Sequence, residues 1–287
     1  MKKHLLFLLI IMFYGCTESN LAFHPRLNPS SGTLELVQTF GGSKNDVATS
    51  VVSTVDGGFA VLGYTQSLDG DITDKATEDY DFWMLKFNSE AQLEWNKTYG
   101  GSGDDRGSSI IETSDGGYAL IGYSDSSDGD VSSNNGNRDF WLIKINDSGG
   151  VTWEKSFGYG GVDEGVSIIE TSDNHLMLSG ILDVTASGGE GNQGRFSTKH
   201  AGGDYWSIKI SPTGDIVWSR FYGGSFTDSP AGISETLIGG FIKVGGSDSN
   251  DVDISNNKGS YDFWIVKSDV NGDIVWEKSF GGSEIDE

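Results

Sequence analysis

Residues 139–158 read DFWLIKINDSGGVTWEKSFG. An apolar run rich in branched and aromatic side chains meets the turn Asn146-Asp147-Ser148-Gly149-Gly150, and a second run follows in which Val151, Trp153 and Phe157 alternate with polar neighbours. That is a hairpin of two strands, one buried on both faces and one on a single face.

The block recurs along the chain. All eight tryptophans occupy two of its positions: Trp83, Trp141, Trp206 and Trp264 in one, Trp95, Trp153, Trp218 and Trp276 in the other. Spacings are 58, 65 and 58 in both series, with 12 residues between the members of each pair. Phe40, Tyr99, Phe157, Tyr222 and Phe280 are each followed by glycine and, six residues on, by Asp46, Asp105, Asp163, Asp228 and Asp286. Asp81, Asp139, Asp204 and Asp262 precede an aromatic and a tryptophan, and Lys86, Lys144, Lys209 and Lys267 lie three residues after that tryptophan.

Working outward from the hairpin, one copy holds four short strands, expected at 108–112, 118–123, 140–145 and 151–157. Asp115-Gly116-Gly117 turns the first pair, because glycine takes positive φ without a steric cost. Four strands in about 58 residues is the size of a propeller blade, and more than a solenoid unit usually carries. The expected fold is all-β: a β-propeller-like array of four four-stranded blades plus the start of a fifth, an incomplete ring. The repeats run at about 37–95, 96–153, 154–218 and 219–276, with a partial copy at 277–287. An open arc of this kind leaves a sheet edge available for pairing.

The tryptophan that closes each copy, as in Ser211-Pro212-Thr213-Gly214-Asp215-Ile216-Val217-Trp218, resembles the docking tryptophan of quinoprotein-like propellers. The fuller pattern over 35–287 is similar to tandem tryptophan-containing β-propeller repeat lipoproteins of Gram-negative bacteria. The resemblance implies a propeller and a surface location, and no reaction. The adjacent cysteines typical of the quinone enzymes are missing.

Before the repeats, Lys2 and Lys3 lead into the apolar run Leu5 to Phe13 and then Gly15-Cys16. Nine apolar residues reach about 14 Å as a helix against a hydrocarbon core of about 30 Å, so the segment reads as a secretion signal and not a span. Cys16, the single cysteine, sits where a lipoprotein signal places its lipidated residue, although Phe13 and Tyr14 depart from the usual lipobox. The expectation is an exported protein held at the outer membrane by Cys16 (1–16), with a polar tether over 17–34. One cysteine forms no intrachain disulfide, so packing alone holds the domain.

The formal charge of −23 repels phosphate backbones, which argues against a nucleic-acid partner. Three loops carry paired acids: Asp69 and Asp71, Asp128 and Asp130, Asp251 and Asp253. Calcium is one reading, because alternating acids across a turn converge on one ion; capped turns are the other, and each loop lacks a complete ligand series. The aspartates that recur in every copy read as structural, and the tryptophans as inter-blade core.

The third copy departs from its siblings over 183–203, where seven extra residues bring Arg195, Lys199 and His200 into an acidic protein as candidate ligand contacts. Drift in a surface loop is the plainer explanation. No Ser, His or Cys constellation marks a catalytic site, and Gly189, Gly191 and Gly194 match a dinucleotide fingerprint without the strand and helix it needs. The leading expectation is a binding or scaffold protein that presents the loops at 66–80, 125–138, 183–203 and 247–261 to a glycan or protein ligand, without catalysis. The alternatives are a carbohydrate-active hydrolase or lyase on the same scaffold, and a fragment of a larger propeller.

Overall fold

In the computed structural model, residues 37–192 and 199–286 are described. The chain divides into Met1–Thr39 and Phe40–Glu287. Of the first unit only 37–39 are described, and they lie in no strand or helix. The signal segment, Cys16 and the tether therefore lie outside the described residues, as does Arg195.

The second unit is all-β, as the repeats predict. Among the described residues, sixteen strands form four antiparallel sheets, each a meander in chain order. The first holds β1 (Asp46–Ser53), β2 (Phe59–Thr65), β3 (Asp81–Phe87) and β4 (Leu93–Tyr99); the second holds β5 (Asp105–Glu112), β6 (Tyr118–Ser124), β7 (Asp139–Ile145) and β8 (Val151–Phe157). The third holds β9 (Glu164–Glu170), β10 (Leu176–Asp183), β11 (Gly203–Ile210) and β12 (Ile216–Tyr222). The fourth holds β13 (Asp228–Glu235), β14 (Phe241–Ser247), β15 (Asp262–Ser268) and β16 (Ile274–Phe280). A four-residue helix, α1 (Val184–Ser187), sits in the divergent third loop. Among the described residues no helix is long and apolar enough to cross a membrane.

The sheets stack in chain order, the innermost strand of each resting on the sheet before it. This is the arrangement of propeller blades, and no stacking of similar extent joins the fourth sheet to the first among the described residues, which makes the array an incomplete one. The inner strand β5 begins at Asp105, three residues before its expected start, because a bulge between Gly107 and Ser109 lets the strand continue through the glycine. The bulged residue has a use: the Ser108 hydroxyl donates to Gly165 O at 2.6 Å and that of Thr49 to Gly107 O at 2.8 Å, each reaching the next blade.

The core lies between blades. Ala60, Leu62, Phe82 and Met84 of the first face Ile110, Leu120, Trp141 and Ile143 of the second. Phe140 and Leu142 of the second face Leu178, Trp206 and Ile208 of the third. Phe82 meets Trp141, Phe140 meets Trp206, and Tyr205 meets Trp264 with ring centroids 4.8–4.9 Å apart. The second tryptophan of a copy packs on a turn of the next blade, where Gly149, Gly214 and Gly272 hold positive φ; a side chain would crowd Trp95 at Gly149 and Trp218 at Gly272 and would touch Trp153 at Gly214. Blade boundaries therefore fall at Tyr99, Phe157 and Tyr222, four residues beyond the tryptophans, and Asp286 N–H already bonds Tyr261 O at 2.7 Å, as Asp105 N–H bonds Tyr80 O.

Opposite the loop rim, Lys86, Lys144 and Lys209 reach the hairpin acids Asp56, Asp115 and Asp173 at 2.7–2.9 Å. Glu112, Glu170 and Glu235 accept backbone N–H bonds from Val55, Ser114 and Ser172 of the preceding blade. The lysine pairs brace the hairpins within a blade, and the glutamate bonds between blades help fix the stacking register that apolar contact leaves loose.

Candidate functional site: the loop rim

The loops between the second and third strands of each blade share one rim with the segments that link blades. Each inner-strand aspartate organises its own stretch. Asp105 Oδ2 accepts from Gly101 N and Ser126 Oγ, both at 2.8 Å; Asp228 Oδ2 accepts from Gly224 N at 2.8 Å and Ser249 Oγ at 3.1 Å; Asp46 repeats the pattern with Gly42 and Ser67. Burial pushes the Asp105 and Asp228 carboxyls up to about 6 against these hydrogen bonds, which hold the charged form.

The paired acids face the same link segments. Asp69 Oδ1 accepts from Ser43 N at 2.7 Å and Asp71 Oδ2 from Gly41 N at 2.9 Å. Asp128 takes Ser102 N and Asp130 takes Gly100 N; Asp251 takes Ser225 N and Asp253 takes Gly223 N. Each Asp-x-Asp loop is thus a clamp on the Gly-Gly-Ser link of its own blade, and the glycine is required because a side chain at Gly101 would strike the Asp128 carbonyl. Oxygens turned to N–H donors are poor calcium ligands, and among the described residues no group of three or more His, Cys, Asp or Glu side chains is arranged to hold a metal.

A second aspartate set lines the junctions. Asp81, Asp139, Asp204 and Asp262 are buried, and the Oδ1 of each lacks a hydrogen-bond partner. The other oxygen is met differently in each blade: Lys75 Nζ stands 3.2 Å from Asp81 Oδ2, the amides of Asn135 and Lys258 donate to Asp139 and Asp262, and His200 Nδ1 lies 2.6 Å from Asp204 Oδ2. His200, expected among the ligand contacts, is buried instead, edge-on to Phe221 and with Nε2 3.9 Å from Asp253. Burial pushes the Asp204 carboxyl up to about 10 and the imidazole down, so one proton shared between them keeps the pair neutral. His175, the other histidine among the described residues, sits at the opposite hairpin rim beside Asp173. Lys199 is described and engaged by neighbouring groups.

Side chains that only some of the blades carry gather at the inner rim of the first three blades. Arg106 lies over Tyr80 at 4.1 Å and Tyr64 at 5.3 Å, and Arg138 over Tyr123 at 4.4 Å. Asp104 and Glu164 orient the two guanidiniums at 2.9 and 2.8 Å. All seven side chains are partly exposed. Elsewhere on the same loop rim an open cavity of about 300 Å³ is bordered by Asp74, Lys75, Thr77, Thr98, Asp128 and Asp130. Aromatic faces, planar cations and carboxylates in one row can stack on a sugar ring and exchange hydrogen bonds with its hydroxyls. Sequence reading missed this row, because residues 42 apart, such as Tyr64 and Arg106, meet only when blades stack. The available signal was that Arg106 and Arg138 interrupt the repeat.

No protein-family model matches the sequence, and no curated protein matches it. Among solved structures the chain is similar to one described as a member of the DUF4221 family from Bacteroides vulgatus, at 11% identity over 85% of this chain and 83% of that one, with a TM-score of 0.25. A likeness at that TM-score carries no argument about activity. The class rests on the chain's own geometry: an all-β, propeller-like array of repeated blades.

Proposed function

We propose that the protein is a lipid-anchored cell-surface binding module of the propeller class, tethered to the outer membrane through Cys16, that takes a glycan on its loop rim without catalysis. The observation that carries the reading is the tyrosine and arginine row Tyr64, Tyr80, Arg106, Tyr123 and Arg138, partly exposed and at positions that vary from blade to blade. The paired acids and the inner-strand aspartates of the rim recur from blade to blade and are tied to backbone N–H groups, which suits a scaffold better than a pair of catalytic carboxylates. A protein ligand and hydrolysis of the glycan are the competing readings.

The test is a glycan array with the full chain, followed by calorimetry on the best oligosaccharide. Tyr80→Ala and Arg138→Ala should each weaken binding about tenfold or more, a loss of about 1.4 kcal/mol or above. An array without hits, or affinities that both variants leave intact, would contradict the proposal, and release of reducing ends would move the assignment to an enzyme. Cys16→Ala should shift the protein out of the membrane fraction.

A further inference from the structure

The tyrosine and arginine row is made of two neighbouring units. Tyr64 and Tyr123 hold the same place, the last position but one of β2 and β6, and a guanidinium lies over each ring. Arg106 comes from the inner strand of the following blade, whereas Arg138 comes from the residue before the third strand of its own blade. Tyr80 stands where the second blade has Arg138; it carries Arg106 on its face and meets Tyr64 edge-on at 5.4 Å. The two units are continuous, because Arg106 and Tyr123 are cross-strand partners in β5 and β6.

Each cation of the row is already answered by a carboxylate. Arg106 Nη2 lies 2.9 Å from Asp104 Oδ2; Arg138 Nη1 lies 2.8 Å from Glu164 Oε1, and its Nε 3.5 Å from Asp125 Oδ1. Two guanidiniums face three carboxylates, so the row carries one net negative charge within a chain of net charge −23. A guanidinium has five N–H donors and a carboxylate two accepting oxygens, so these pairs leave donors and acceptors side by side. Adjacent sugar hydroxyls, each both donor and acceptor, match that pattern without bringing a charge. An anionic sugar would have to displace Asp104 or Glu164 from its guanidinium, or sit against them at the cost of like-charge repulsion.

We infer that the row selects uncharged glycans and rejects acidic ones, with Asp104 and Glu164 as the excluding residues. This rests on the glycan reading of the rim given above and adds the ligand's charge class to it. The tyrosine faces bind the apolar side of a sugar ring, which uncharged and acidic sugars share, so stacking alone does not discriminate. Discrimination comes from the repulsive element: a guanidinium free of carboxylates would pair bidentately with a uronate or a sulfate, and neither guanidinium here is free.

The test is an array of uncharged, uronate-containing and sulfated oligosaccharides probed with the full chain, then calorimetry on the best uncharged binder and the best acidic one. Titrations at high salt screen the charge of the chain as a whole, so the discrimination that remains belongs to contacts in the row. The uncharged glycan is expected to bind at least about tenfold more tightly than the acidic one. In the double variant Asp104→Asn, Glu164→Gln, which keeps side-chain shape at two partly exposed positions, that gap should narrow about tenfold through a gain for the acidic glycan. A native chain that prefers acidic glycans, or a gap that the double variant leaves unchanged, would overturn the inference while the glycan reading stands. An array without hits, or binding that Tyr80→Ala leaves intact, would overturn both.

Discussion

The interior of the array and its two ends are built from the same residues at the same positions, yet they differ in what holds them. Trp218 is 7% exposed against the turn of the fourth blade, and Trp276, its counterpart 58 residues later, is 42% exposed. The difference is supplied by the neighbour: a blade is a sheet whose two apolar faces are covered by other blades, so the stability of one copy resides largely in its junctions. Counting tryptophans in a repeat protein overstates the core at the ends.

Substituting one position in two blades should break the equivalence most visibly. Phe140→Ala, in the second junction, is expected to cost about 3–5 kcal/mol in chemical unfolding, and Phe263→Ala about 1 kcal/mol or less. Equal losses would mean that the fourth blade is covered as the second is. The inner-strand aspartates should divide in the same way, with smaller effects. Asp105→Ala strips partners from the Gly101 amide and the Ser126 hydroxyl in a buried site and should cost about 2–3 kcal/mol, whereas Asp46→Ala in the open first blade, where water replaces it, should cost about 1 kcal/mol.

Acid sharpens the contrast between the two rims. Burial raises Asp105, Asp163 and Asp228 to about 6 and Asp81 to about 7, from 3.8. The folded state therefore binds more protons than the unfolded chain between about pH 4 and 7, and this contribution, complete below the unfolded value, is lost as pH rises through 6 to 7. At the hairpin rim burial alone would raise Asp115 and Asp173, but hydrogen bonds from Thr113 and Lys144, and from Lys209 and Thr171, outweigh it and hold both at about 2. Their contribution is present above the unfolded value and lost as pH falls from about 4 toward 2. Melting temperature should peak near pH 4 and fall by roughly 5 °C or more by pH 7; a curve flat from 4 to 7 would contradict the burial of the junction aspartates.

The smallest effect concerns the fourth hairpin. Ile238 stands where the other blades carry Asp56, Asp115 and Asp173, and Lys267 turns to Thr236 Oγ1 and Gly239 O instead. Ile238→Asp should restore the missing ion pair and raise stability by about 0.5 kcal/mol, as exposed pairs do.

The blades were legible because their determinants repeat: Trp, Asp and Gly-Gly at fixed intervals disclose strands, turns and junctions without any knowledge of contacts. What does not repeat was illegible. His200 looked like a surface cation and is a buried partner of Asp204, because a loop's path decides which side chains it folds inward. Lys243 in Phe241-Ile242-Lys243-Val244 gave no sign that its amine lies at the junction over the Tyr222 ring, 2.8 Å from Ser268 Oγ and pushed down to about 7 by burial, where Leu120 and Leu178 stand in other blades. The paired acids were seen, but their partners, backbone amides 26 to 30 residues away, required the fold.

Exposed end strands and covered junctions set the local stability of the array, and amide hydrogen exchange of the full chain tests this directly. Comparing equivalent strands, β1 should exchange at least about tenfold faster than β5 and β9, and β16 faster than β8 and β12. Equal protection of β1, β5 and β9 would contradict it, because it would mean that the first blade is covered and the array closed.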